Sequence, residues 1–331
     1  MAETFLFAAN AVLPVALIIA LGYFIKRIGL CDAPFAARLN RMSFRALLPV
    51  MLFYNLHSGG GIRREDISIV LFAAAAVVAM FVAGMIIVRL FIPDPRQKGA
   101  VLQCIFRSNF AIIGLPLAQS LVGDEGARLA AVVSVAAIPL FNIFASIALS
   151  VYLRDESGKK VSVGSIIKKI VTNPMIIGIF AAVAVLVLED VLAGYGIDFS
   201  VADITPLYSA IQKIAAATSP VMLLALGIQF EFSAVGRLKK QIAVGAISRL
   251  VLMPGAVIGA ALALFPRFGA AHYALLIALT ASPVAVSSMV MATEMDNDGT
   301  LAGQLVVWTT LLSMFTVFTI VAVLKAVGIF Q

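Results

Sequence analysis

Residues 107–117 read RSNFAIIGLPL, and they fall in the middle of a segment, 98–122, that is otherwise apolar. A proline in a helix interior costs about 3 kcal/mol, because it removes a backbone donor and leaves a carbonyl without its partner. An arginine near the centre of a membrane helix costs about 2.5–3.5 kcal/mol on insertion scales. Two structures accommodate Arg107, Ser108, Asn109, Gly114 and Pro116 within so few residues. One is a discontinuous helix with an unwound centre, which is tolerated only where it is buried in protein or lines a cavity. The other is a kinked helix packed against its neighbours.

The rest of the chain supplies the setting. Of 331 residues, 62% are apolar and only 12% charged, against about 45–50% and about 25% in soluble proteins. So few charges cannot cover a water-soluble surface, and the apolar content excludes a disordered chain. An all-α polytopic membrane protein remains, embedded in a lipid bilayer. Segments of about 20 apolar residues suffice to cross the hydrocarbon as helices. Ten occur, at roughly 4–25, 42–57, 67–91, 98–122, 127–152, 173–192, 206–230, 241–265, 270–293 and 300–326. Long alternating strands are absent, so a β-barrel does not compete. The first 15 residues, MAETFLFAANAVLPV, carry no basic run before the apolar stretch, so no cleaved signal peptide is expected.

Lysine and arginine orient the spans. Sixteen lie in the odd-numbered loops, and five in the even-numbered loops and tails. The odd loops are therefore expected in the cytoplasm and both termini outside. The net charge of +7 then reflects orientation and not nucleic-acid binding. The longest polar stretch, RDESGKKVSVGSIIKKIV at 154–171, ends as an amphipathic interfacial helix with Ile166, Ile167, Ile170 and Val171 opposite Lys168 and Lys169. The chain divides into a first five-span unit (1–152), a cytoplasmic linker (153–172) and a second five-span unit (173–331).

The two units resemble each other. LLPVMLFYNL around Pro49 matches TSPVMLLALG around Pro220, and GLPLAQS around Pro116 matches ASPVAVSS around Pro283. An acidic-glycine cluster follows each of the latter pair, DEGARLA at 124–130 and DNDGTLA at 296–302. With five spans per unit, the second copy must be inverted. Inverted repeats are characteristic of secondary transporters. Ser282-Pro283 has the look of a helix start, with serine as the cap and proline in the first turn. Gly114-Leu115-Pro116 is its counterpart. Two half-helix N-termini meeting at the midplane would favour an anion there.

Other polar residues in spans are Asn10, Asn55, Gln103, Asn142, Lys213, Gln229 and Arg249. Lys213 and Arg249 lie near expected span ends, where snorkelling serves them. Asn10 and Asn142 are more central, as helix glue or site lining. Thr280, Ser282, Ser287 and Ser288 line span 9, where hydroxyls either bind substrate or join helices. Gly255 and Gly259 allow close helix packing. His57 and His272 fall at external span ends, as interfacial surface. The acids avoid the membrane interior, so proton coupling through a buried carboxylate is disfavoured. No metal-ligand spacing, nucleophile elbow, phosphate loop or dinucleotide turn appears, so no enzyme activity, metal or cofactor is expected.

These residues resemble the auxin efflux carrier family, whose members include plant auxin exporters and bacterial permeases for organic acids such as malate and malonate. The resemblance rests on LPVALIIALGYFIKRIGL (13–30), LLPVMLF (47–53), RSNFAIIGLPL, TNPMIIGI (172–179), SPVMLLALG (219–227), SPVAVSSMVMATEM (282–295) and LLSMFT (311–316). It implies ten helices in two inverted five-helix repeats, as in bile-acid/sodium symporters, with helices 4 and 9 broken and crossing. It further implies a scaffold of spans 1, 2, 6 and 7, a moving unit of spans 3–5 and 8–10, elevator-type movement and a homodimer. Asn109 becomes the leading substrate ligand, with Gly114, Pro116 and Pro283 shaping the crossing. Ser287 stands where many bacterial relatives place an asparagine. The long cytoplasmic loop of plant members is absent. The expectation is thus a secondary transporter of a small organic anion in a bacterial inner membrane. Its substrate would be held by Arg107, Ser108, Asn109, Thr280, Ser282, Ser287 and Ser288, with Asn10 and Asn142 nearby. The alternatives are a sodium-coupled symporter of the bile-acid type and a membrane sensor that does not transport.

Overall fold

The computed structural model describes residues 2–58, 66–153, 164, 167–168 and 171–330, with side chains from Leu13 onward. Helix α1 (Ala2–Arg27) leads to α2 (Ala33–Met42) and α3 (Leu48–His57), joined by a π-helical turn at Ser43–Leu47. Then come α4 (Ile67–Phe91), α5 (Pro95–Phe106), a π turn at Phe110–Gly114 running into α6 (Leu115–Val122), and α7 (Asp124–Val151). After the linker follow α8 (Pro174–Gly194), α9 (Thr205–Gln229) and α10 (Ser233–Ile247). A π turn at Ser248–Leu252 continues α10 into α11 (Met253–Leu264). The chain ends with α12 (Ala270–Ala281), α13 (Ser287–Glu294) and α14 (Gly299–Ala326).

Each expected span falls on one of these helical runs. Among the described residues, six runs are long and apolar enough to cross a membrane uninterrupted: Ile67–Phe91, Asp124–Val151, Pro174–Gly194, Thr205–Gln229, Ser233–Leu264 and Gly299–Ala326. The chain is therefore an all-helical, multi-pass membrane protein. Its exterior is apolar, with Leu17, Leu71, Leu90, Phe180 and Phe315 exposed, while Arg107, Asn109, Asn142 and Arg249 are buried. That polarity suits lipid outside and polar contacts inside.

Local sequence explains the helix starts. Asp94 accepts from the amide of Arg96 at 2.9 Å ahead of Pro95, and Asn173 accepts from Met175 at 2.9 Å ahead of Pro174. Both pair a capping oxygen with a proline whose missing donor costs nothing in the first turn. Pro49, Pro116 and Pro254 are handled differently. Each sits two residues after a π turn, at Ser43–Leu47, Phe110–Gly114 and Ser248–Leu252. The extra residue of a π turn widens the helix where a proline ring would strike the preceding carbonyl.

Packing separates the helices into two groups. Helices α1, α2, α3, α8 and α9 pack mainly among themselves, as do α4–α7 with α10–α14. Within the first group α1 and α9 meet at glycines. A Cβ on Gly22 would run into the Leu224 carbonyl, and one on Gly227 into the Ile19 carbonyl. Of the interfacial helix expected in the linker, Ile166, Lys169 and Ile170 lie outside the described residues; Ile167, Lys168 and Val171 are exposed.

Because the backbones touch at this point, Gly227→Val must push α1 and α9 apart. The expected cost is that of overpacking, about 1–3 kcal/mol, seen as a lower midpoint of thermal unfolding in detergent. An unchanged midpoint would show that the two helices do not approach this closely.

Candidate substrate site at the crossing of two broken helices

Both expected breaks are present, at positions that differ from the expected ones. The helix is interrupted at residues 107–109, between α5 and the π turn, and at residues 282–286, between α12 and α13; Arg107 and Ser282 are extended. The two stretches pair. The amide of Asn109 donates to the Pro283 carbonyl at 2.7 Å, and Ser108 and Val284 form an antiparallel bridge. Gly114 and Pro116 therefore lie inside the second half-helix and do not start it. Ser282 ends α12 in place of capping α13, which starts at Ser287. The reason is the pairing itself: an extended strand needs several residues to reach across, so the break must run beyond one capped proline.

Broken helices expose carbonyls. In a continuous helix Leu279 would accept from residue 283, but Pro283 has no donor. Ile105 would accept from Asn109, whose amide is spent on Pro283. Arg249 supplies the missing donors. Its guanidinium reaches Ser282 O at 2.9 Å, Leu279 O at 3.1 Å, Phe106 O at 3.3 Å and Ile105 O at 3.4 Å. It is fully buried. The expectation that Arg249 snorkels to a span end is thus corrected. The helical run begins at Ser233, eight residues before the expected start, and this puts Arg249 at its middle. Lys213, on α9, is exposed.

On the other side of the crossing lies a cavity of about 50 Å³, lined by Arg107, Ser108, Asn109, Asn142 and Ser287 together with Asn55 and apolar side chains such as Phe141 and Met222. Arg107 is 3% exposed. It donates to Gln103 Oε1 at 2.9 Å, Asn142 Oδ1 at 2.8 Å, Ser287 Oγ at 2.8 Å and Met291 Sδ at 2.8 Å. Every acceptor is neutral, so the hydrogen bonds are satisfied while the charge is not. A buried charge without a counter-ion is costly. Asn109 Nδ2 and Ser108 Oγ are buried in the same place with no hydrogen-bond partner. The N-terminal ends of both second half-helices, at Phe110 and Ser287, also border this space. Helix N-termini carry partial positive charge. Among the described residues no carboxylate lines it. The arrangement suits an anion with oxygen acceptors.

Of the residues expected to contact substrate, the structure gathers Arg107, Ser108, Asn109, Asn142 and Ser287. Thr280 instead donates to the Leu276 carbonyl of its own helix at 2.6 Å. The hydroxyls of Ser282 and Ser288 are buried without hydrogen-bond partners, and neither residue lines the cavity. The side chain of Asn10 lies outside the described residues. Gly114 packs against Ala278, whose carbonyl would sit 3.0 Å from an added Cβ. Pro116 is exposed and Pro283 buried. Gln103, which orients Arg107, and Thr309, whose hydroxyl accepts from the Val284 amide at 3.2 Å, were not singled out as site residues from the sequence.

Met51, Asn55, Ala111 and Ile112 line both this cavity and a vestibule of about 510 Å³ between α1, α3 and α9. A separate polar cavity of about 280 Å³ lies toward the opposite ends of α9 and α13, bordered by Gln229, Glu231, Thr293 and Gln304. Near the vestibule's end of α3, His57 is buried and not interfacial surface. Its Nε2 is 3.0 Å from Glu189 Oε1 and its Nδ1 3.2 Å from the Tyr208 hydroxyl. Glu189, on α8, is near enough in space to bury the ring. His272 is partly exposed and stacks on Phe268, ring centroids 4.6 Å apart.

No curated protein matches the chain. A family model described as membrane transport protein does match it, over residues 7–321. That span takes in both breaks, both buried guanidiniums and the cavity between the half-helices. The chain belongs to the membrane transport protein family to which the auxin efflux carriers belong, and is a membrane transporter.

Proposed function

We propose that this protein is a secondary transporter for a small organic anion, and that a carboxylate of the substrate binds at the crossing. One observation carries the reading: Asn109 Nδ2 is buried without a partner in a cavity beside Arg107, whose charge no acid balances among the described residues. A carboxylate meets both needs at once, as acceptor and as counter-ion. Ser108, Ser287, Asn142 and the half-helix N-termini complete the site. The proposed arrangement is ten spans in two inverted five-helix repeats, with α5–α6 and α12–α13 as the broken pair. Helices α1–α3, α8 and α9 act as scaffold, and the others carry the substrate as an elevator. The site's link to the vestibule, and the basic loops at the far end, support an outward-facing state with both termini outside. A bacterial inner membrane and a homodimer complete the proposal.

Reconstituted protein is expected to catalyse counterflow of a labelled carboxylate from a mono- and dicarboxylate panel. Asn109→Ala removes one charge-assisted hydrogen bond, so transport efficiency should fall about 10- to 100-fold. Unchanged affinity and rate would remove Asn109 from the site. Flux without saturation or counterflow would overturn the carrier reading.

Orientation has its own check. With Cys31 and Cys104 replaced, Ser219→Cys in the vestibule should react with an impermeant maleimide added outside intact cells, and more slowly when substrate is present. Thr293→Cys in the opposite cavity should not react. The reverse pattern would invert the proposed topology.

A further inference from the structure

We infer that Arg249 is a tethered cation: it fills a cage of carbonyls that would otherwise hold a free metal cation, and so makes the crossing an anion site that needs no coupling sodium or potassium. This rests on the proposal that the crossing binds an anion.

Four helix ends meet at the crossing. Two are N-termini, at Phe110 and Ser287, and two are C-termini, at Phe106 and Ala281. Helix ends carry about half an elementary charge, positive at the N-terminus and negative at the C-terminus. By themselves the four nearly cancel, so the crossing would show no preference for anions. The C-terminal carbonyls are also the kind of ligand set that coordinates alkali cations at half-helix ends. Here those carbonyls are already taken. One planar guanidinium reaches two from each half-helix, Ile105 and Phe106 on one side and Leu279 and Ser282 on the other.

Arg249 forms no ion pair with a carboxylate among the described residues, so its charge goes to the carbonyl ends. That leaves the two N-termini and Arg107 to dominate the other side, where the substrate cavity lies. Arg249 does not line the cavity. It is a positioning residue, acting on the substrate through the backbone of both breaks. A lysine at this place would offer a point charge and could not span four acceptors in one plane.

The test compares wild type, Arg249→Lys and Arg249→Gln in media of equal ionic strength containing sodium, potassium, choline or low-millimolar guanidinium. Thermal unfolding and carboxylate counterflow are both read. Wild type should give the same midpoint and the same counterflow with every cation. Arg249→Gln should lose apparent affinity for the carboxylate at least tenfold, equivalent to about 1.4 kcal/mol. Its midpoint should rise on adding guanidinium or sodium but not urea, which has the shape of guanidinium without its charge. Arg249→Lys should lie between the two. Sodium- or potassium-dependent counterflow by wild type overturns the inference. So does an Arg249→Gln protein with wild-type affinity, or one whose midpoint responds to no cation. If Arg249→Gln does not fold, Arg249→Lys decides: wild-type affinity and no cation response in that variant also overturn it. Wild type lacking all carboxylate counterflow would remove the proposed function, whereas the midpoint measurements would still decide whether Arg249 stands in a cation cage.

Discussion

Inside hydrocarbon there is no water to pair with a loose backbone group, and each unpaired one costs several kcal/mol. Two helices broken at mid-depth would violate that constraint. Here each break satisfies the other. The Asn109 amide closes on the Pro283 carbonyl at 2.7 Å, Thr309 caps the amide of Val284 at 3.2 Å, and Arg249 gathers four carbonyls. Much of the surrounding architecture follows. α10–α11 must pass close enough to deliver Arg249, and α14 close enough to deliver Thr309. The breaks persist because they pair with each other and because two neighbouring helical runs are arranged to complete them.

The same economy places two guanidiniums on opposite sides of one crossing with different duties. Arg249 is consumed by backbone carbonyls. Arg107 is held by neutral side chains that fix its geometry and leave its charge unanswered. A site built only from amides and hydroxyls would accept a neutral polar molecule equally well. In the proposed site, a fixed charge beside an unsatisfied Asn109 side chain would shift the preference toward anions, and burial would strengthen that preference because the local dielectric is low.

Much of this was legible in the sequence. The apolar segments, the doubled Pro-Val-Met-Leu and the paired proline motifs pointed to helices, membrane and two special spans. RSNFAIIGLPL drew attention because its residues are individually unfavourable in lipid, and five expected contact residues do share one cavity. What escaped depends on tertiary geometry. Arg249 looked peripheral because Lys239 and Lys240 suggested a span end, whereas the helix runs on through them from Ser233. His57 looked interfacial because its partner Glu189 is more than a hundred residues away. The exact breaks were misplaced because proline signalled helix starts, while the deciding factor was a hydrogen bond between two segments that no local pattern records. Thr280 and Ser288 are near the site in sequence, yet their places on α12 and α13 keep their side chains out of the cavity, and Ser282, in the break itself, does not line it either.

The three π turns carry one more implication. Each holds a residue that an ordinary helix of the same rise would not need. Removing one residue from Ser248–Leu252 would return that helix to ordinary α geometry, but it would also take away the widened turn that makes room for the Pro254 ring beside the place from which Arg249 reaches its carbonyls. The protein is therefore constrained in its length as tightly as in its composition. Homologous chains that keep the crossing should tolerate substitutions around these turns far more readily than a single insertion or deletion within them.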